Sequence, residues 1–311
     1  MPKAGEQKPP ITADLLSNGD FHVIARAITM VENSGPGAEE LLKSLPHKHI
    51  PIVGITGPPG AGKSTLTDAL IRKFTEDGNK TAVLCVDPSS SFHSGALLGD
   101  RIRMNRWYNN PQVYIRSLAS RGLVGGLTSR IFQITDLLAN AGFDNILIET
   151  VGVGQTEVDI ARLADQVVLV LVPESGDDIQ TMKAGIMEIG DIFVVNKSDR
   201  PGSEQFFNSL KSSIHYQTSK PMDDIRFIQT VATEEKGIEE LYFAIKENAK
   251  RNSPGLSPII LAQKVWQLIV ESRMNNVDQV KLVAAIEKAI GSGNFNLYRF
   301  SEAYARGIFK E

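Results

Sequence analysis

The residues from Gly57 to Ser64 read Gly-Pro-Pro-Gly-Ala-Gly-Lys-Ser and fill the spacing G-x-x-x-x-G-K-[ST] completely. The chemistry explains the residue types. Glycines let backbone N–H groups turn inward and surround phosphate oxygens. A helix opening at Ser64 and Thr65 adds the positive end of its dipole. The loop residues Gly57, Pro58, Pro59, Gly60, Ala61 and Gly62 would then cradle a polyphosphate. Lys63 would reach the β- and γ-phosphates, and the Ser64 hydroxyl would ligate Mg²⁺.

A second cluster selects a base. Asn196-Lys197-Ser198-Asp199 has the form N-K-x-D and follows the apolar run Ile192–Val195. A carboxylate only accepts hydrogen bonds, and guanine offers N1–H and its exocyclic amine side by side. Asp199 therefore favours guanine over adenine. Asn196 can bond the base edge and brace the phosphate loop, and the Lys197 stem can lie over the ring. Val231-Ala232-Thr233 is a weaker candidate for a further base-contacting loop.

Acids at strand ends supply the third element. Asp87 follows Thr81–Val86, and Glu149 follows Asn145–Ile148. Glu149-Thr150-Val151-Gly152 has the form E-x-x-G, in which a carboxylate can hold Mg²⁺ and the Gly152 N–H can bond a γ-phosphate. Most small GTPases carry Asp at that position. Asp100, beside Arg101, is a further acid for the metal. His47 and His49 form H-x-H without cysteine or carboxylate support, and read as a solvated linker, since a metal site wants three or four converging ligands.

The elements that must position these groups follow from periodicity. Residues 12–31 carry apolar positions at helical spacing, and 38–45 form a short second helix. Seven strands are expected, beginning near Ile52, Thr81, Val113, Asn145, Gln166, Ile192 and Ile225, with helices between most of them. Continuous Val/Ile/Leu runs imply a parallel sheet covered on both faces. The fold class is α/β: a P-loop nucleotide-binding domain with a mostly parallel sheet flanked by helices. The expected division is an N-terminal helical extension (1–50), a P-loop domain (51–252) and a C-terminal helical arm (253–311). Helices are expected at 258–273, 277–290 and 297–309.

Bulk properties narrow the partners. Of the 311 residues, 33 are Lys or Arg and 36 Asp or Glu, a net charge of −3, so no global basic excess points to nucleic acid. The single cysteine, Cys85, sits in an apolar run and reads as a core residue suited to a reducing compartment. No run is long and apolar enough to span a bilayer, and residues 1–10 carry neither a secretory nor an Arg-rich targeting pattern. A cytoplasmic protein without membrane partners is expected.

Taken together, these segments resemble the MeaB/ArgK-type GTPases, in the branch of P-loop proteins that also holds the nickel-insertion GTPases. The family includes the mitochondrial protein behind one form of methylmalonic aciduria. The matching stretches are Gly54–Thr65, Val86-Asp87-Pro88-Ser89-Ser90, Leu98-Gly99-Asp100-Arg101, Arg116-Ser117 with Ser120-Arg121-Gly122, Glu149–Gln155 and Asn196–Asp199. Gly19-Asp20, Ala25–Thr29 and Glu32 resemble the family's leading helix.

The resemblance implies a GTPase binding GTP, GDP and Mg²⁺ that serves as chaperone to an adenosylcobalamin-dependent acyl-CoA mutase, chiefly methylmalonyl-CoA mutase. It would gate cofactor loading and protect or reactivate the mutase. The resemblance also implies a third switch over Pro173–Lys183, with Gln180 and Lys183 at functional positions and Asp177 at the acidic one. Asp178 stands where the family often has Glu. A homodimer through the C-terminal arm is implied as well. Competing readings are a nickel-delivery GTPase, which would want a His- or Cys-rich loading segment, a kinase of transport proteins, and a scaffold with a vestigial nucleotide site.

Overall fold

The computed structural model describes residues 10–87, 104–119, 128–150, 163–175, 184–218, 220–251, 258–274, 277–291, 293 and 295–306. Seven strands form one sheet: β1 (Ile52–Thr56), β2 (Thr81–Asp87), β3 (Val113–Ala119), β4 (Asn145–Thr150), β5 (Gln166–Leu171), β6 (Ile192–Asn196) and β7 (Arg226–Thr230). Their order across the sheet is β3-β2-β4-β1-β5-β6-β7, and every pairing is parallel. All seven expected strands are present. The chain runs outward from β1 to β2 and β3, returns through β4, then builds β5 to β7 on the other side. β1 is thus the switch point, where open parallel sheets bind ligands at the carboxyl ends of their strands.

The unbroken apolar runs have the expected cause. Alternate residues of one strand enter opposite cores. Ile146 and Ile148 of β4 join a core with Leu137 and Leu138 of α5 (Thr128–Asn140). Leu147, between them, packs with Leu66 and Leu70 of α4 (Lys63–Glu76). Likewise Val168 and Val170 of β5 face that second core, while Leu169 and Leu171 join Phe193, Leu210 and Ile214 in a third. α6 (Ala184–Ile189) and α7 (Ser203–Gln217) flank this third core, and α8 (Ile238–Arg251) closes the second.

The N-terminal segment differs from the expected pattern. Residues 12–31 form two helices, α1 (Ala13–Ser17) and α2 (Phe21–Glu32). The break falls at Gly19, whose φ is +72°, and Asp20 caps the second helix by accepting from the N–H groups of His22 (2.7 Å) and Val23 (3.3 Å). With α3 (Ala38–Ser44) these helices bury Leu16, Ile24, Ile28, Val31 and Leu41 in the same core as β2 and β4. Two arginines pin the C-terminal end of α2. Arg116 Nη2 donates to Glu32 Oε2 at 2.5 Å and to Thr29 Oγ1 at 3.2 Å, and Arg130 donates to the carbonyls of Val31 and Glu32. Cations at a helix C-terminus meet its orphan carbonyls and negative dipole end.

A repeated device starts the strands. The residue just before β4, β5 and β6 is an aspartate, and each accepts the N–H at the start of a neighbouring strand or just before it. Asp144 Oδ2 accepts from Lys80 N (2.7 Å), Asp165 Oδ2 from Ile52 N (2.8 Å) and Asp191 Oδ2 from Val167 N (2.7 Å). His49, expected to be solvated, places Nε2 3.1 Å from Asp165 Oδ2 and so belongs to this rim.

The chain divides into two compact units, 1–261 and 262–311. Three helices span the C-terminal region: α9 (Pro258–Met274), α10 (Gln279–Gly291) and α11 (Leu297–Ala305). Asp278 caps α10 and Asn296 caps α11. Among the described residues of the second unit, Phe300 is buried, against the rings of Phe295 and Tyr304, while Val265, Trp266, Ile269, Val280, Val283 and Leu297 are exposed. Among the described residues no helix is long and apolar enough to cross a membrane.

Candidate nucleotide site

The loop from Gly57 to Gly62 joins β1 to α4, at the carboxyl edge of the central strand. Two of its glycines have no substitute. Gly57 has φ +143°, and a Cβ there would lie 2.0 Å from the Val170 carbonyl oxygen. Gly62 has φ +89°, and a Cβ would lie 2.4 Å from Asn196 Nδ2. Lys63, the first residue of α4, is buried, and its ammonium donates to the carbonyls of Gly57 (2.7 Å) and Pro58 (2.9 Å). The cation is thus held inside the loop. Ser64 and Thr65 lie on the first turn of α4, Thr65 exposed.

Asn196 ends β6 and ties three segments together. Its Nδ2 donates to the Ala61 carbonyl at 2.8 Å, and its Oδ1 accepts from Thr230 Oγ1 (3.0 Å) and from the Ala232 N–H (3.1 Å). A backbone N–H only donates, so the Ala232 contact fixes which end of the amide is oxygen. The loop at Val231–Thr233, weak in sequence, therefore sits against the base motif. Lys197 adopts φ +57° and its ammonium donates to the Gly60 carbonyl at 2.8 Å. Ser198 N donates to Thr230 O and Arg200 N to Lys197 O, both at 3.0 Å, closing the turn that presents the exposed Asp199. Arg200 pairs in turn with Glu174, in the short turn Pro173–Ser175 after β5, and holds that carboxyl below its usual range.

Glu149 lies one residue before the end of β4 and is buried. Ser64 Oγ donates to its Oε1 at 2.5 Å, which brings a hydroxyl and a carboxylate from two elements onto one point. Asp87 ends β2, beside β4, where Val86 is in register with Thr150. The side chain of Asp87 lies outside the described residues, as do Asp100, Gly152, Gln180 and Lys183. Cys85 is buried, as expected. Sequence reasoning missed the bracing role of Thr230 and the Glu174–Arg200 pair, because neither forms a contiguous motif.

Comparison with known proteins agrees with this geometry. The family described as methylmalonyl-CoA mutase-associated GTPase MeaB matches residues 24–280. A Pyrococcus horikoshii homologue, PH0274, whose given name places it among GTPases, is 48% identical over 243 residues, 76% of each chain. A fused isobutyryl-CoA mutase of Geobacillus kaustophilus is 35% identical over 286 residues, 88% of this chain and 25% of that protein. The crystal structure of an LAO/AO transport system kinase superposes with a TM-score of 0.66 at 25% identity, covering 96% of each chain. A P-loop whose lysine is held in place, a base motif braced by Asn196 and a profile match across most of the chain leave one assignment: the chain belongs to the MeaB family of GTPases.

Proposed function

We propose that this GTPase is a chaperone of an adenosylcobalamin-dependent acyl-CoA mutase, with methylmalonyl-CoA mutase as its client, and that GTP gates cofactor loading and protects or reactivates the mutase. The observation that carries the reading is the fused relative, in which a segment resembling this chain forms part of a mutase polypeptide. The family description points the same way.

In this reading the loop 57–62 with Lys63, Ser64 and Thr65 holds the phosphates, and Asn196, Lys197 and Asp199 read guanine. Ser64 and Glu149 suit Mg²⁺, because both donors are hard oxygens already aimed at one point. Asp87 and Asp100 complete the metal set. When bound, the ion neutralises charge on the β- and γ-phosphates. On nucleotide binding Lys63 exchanges the carbonyls of Gly57 and Pro58 for phosphate oxygens. Gly152 bonds the γ-phosphate, and Gln180 and Lys183 answer to the partner. The organisation is an N-terminal extension (1–50), a GTPase domain (51–252) and a C-terminal arm (253–311) that forms a homodimer in the cytoplasm. Exposed Val265, Trp266, Ile269 and Val280 on α9 and α10 support an arm that pairs.

The test is GTP hydrolysis by the purified protein, alone and with a methylmalonyl-CoA mutase of the same source. A slow basal rate that rises many-fold with the mutase supports both assignments. A rate the mutase leaves unchanged removes the client. The kinase reading predicts that ATP competes with GTP, and the base motif predicts that it does not.

A further inference from the structure

Two hydroxyls meet where β1 and β4 leave the sheet. Thr56 is the last residue of β1 and Thr150 the last of β4. The backbone ladder between these strands ends at Ile55 and Glu149. One residue further, Thr150 Oγ1 donates to Thr56 Oγ1 at 2.9 Å, with both residues buried. The side-chain bond therefore prolongs the β1–β4 connection after the backbone has stopped providing it.

Stability alone does not ask for threonine here. Valine has the same shape, suits a strand equally well and carries no hydroxyl to desolvate. The residues adjoining each threonine set this position apart. Thr56 leads directly into Gly57, whose carbonyl holds Lys63. Thr150 comes directly after Glu149, whose carboxylate receives the Ser64 hydroxyl. Ser64 is reached from Thr56 through the phosphate loop. The hydroxyl bond thus closes a ring: Thr56, the loop, Ser64, Glu149, Thr150 and back to Thr56.

We infer that Thr150 and Thr56 are positioning residues that clamp the end of β4 to the entrance of the phosphate loop and thereby set the separation of Glu149 from Ser64. The inference rests on the reading that Ser64 and Glu149 serve the metal. With the clamp gone, the two oxygens drift apart while the phosphate loop and base motif stay built, since Asn196 braces those independently.

The experiment measures nucleotide affinity in excess Mg²⁺ and in chelator, the saturated rate of GTP hydrolysis and the melting temperature. Thr150→Val is expected to keep its chelator affinity, to lose most of the affinity that Mg²⁺ adds, and to turn over on the order of tenfold more slowly, as misplacement of a positioned group does. Thr150→Ser keeps the hydroxyl and is expected to behave as the parent. Thr56→Val/Thr150→Val strands no hydroxyl, so it recovers the melting temperature lost in the single variant while remaining slow. A Thr150→Val protein with the parent's Mg²⁺ response, or a double variant that regains rate together with stability, overturns the inference. Glu149→Gln separates the two levels. If it also retains the full Mg²⁺ gain, the metal reading falls and takes the clamp with it.

Discussion

At the scale of single residues, the site is a set of donors and acceptors whose types are dictated by what they face. In the proposed reading Asp199 accepts from guanine's paired donors, so Asp199→Asn, which offers one acceptor and one donor, matches xanthine instead. GTP affinity is expected to fall by roughly 10³-fold or more while the affinity for xanthosine triphosphate rises, measured by competition against a fluorescent nucleotide. Gly62→Ala places a methyl 2.4 Å from Asn196 Nδ2 at a φ of +89°, so it should break the bond from Asn196 to Ala61 and weaken GTP and GDP binding alike, read by calorimetry. These residues can be read from the sequence because phosphate and base demand fixed types at fixed spacing. Their supports cannot. Thr230 and the Thr56–Thr150 pair reach the site from separate strands and Glu174 from the turn that follows β5, and only the parallel order of the strands brings them together.

At the scale of elements, strands are easier to find than their ends. Each run of Val, Ile and Leu marks a strand because both faces are covered, but β3 continues through Arg116 and Ser117, and β4 through Glu149 and Thr150, where polar side chains hide the pattern. The opposite error affects α1 and α2, where an apolar period continues across Asn18-Gly19-Asp20 although the helix does not. Tyr114 of β3 lies in the joint between these helices and the sheet, with Phe21 at 5.4 Å and Phe143 at 6.1 Å. Burial pushes its phenol up from 10.0 to about 12, opposed by the nearby Arg116. The raised value means that folding favours the neutral phenol. That contribution is complete below pH 10.0 and is lost as pH climbs toward about 12, where the unfolded chain ionises first. Denaturant midpoints tracked across this window should fall less steeply in Tyr114→Phe than in the parent.

At the scale of the whole molecule, the second unit carries most of its described large apolar side chains outward. Trp266 is 70% exposed and Val280 79%. If these faces pair with a second copy, Trp266→Asp with Val280→Asp should convert a dimer to a monomer in sedimentation analysis and leave basal GTP turnover as it was, because the first unit contains the nucleotide site. The helices of this unit could be located from sequence by period alone. Their purpose could not, since an apolar stripe has the same pattern whatever covers it.

The aspartates that precede β4, β5 and β6 also impose a timetable on synthesis. The amide of Ile52 is accepted by Asp165, 113 residues downstream, and both neighbours of β1 are made after β2 and β3. At a ribosome's pace of about 5–20 residues per second, β1 waits roughly 6–23 s for the residue that seals its first amide. Until β4 is made, Ile52–Thr56 is a short uncharged apolar segment with an open edge on each side, and the edge that takes β5 stays open through the whole interval. The nascent chain therefore carries an unsealed central strand until residue 165 emerges, a window in which an open strand edge is exposed to misassembly.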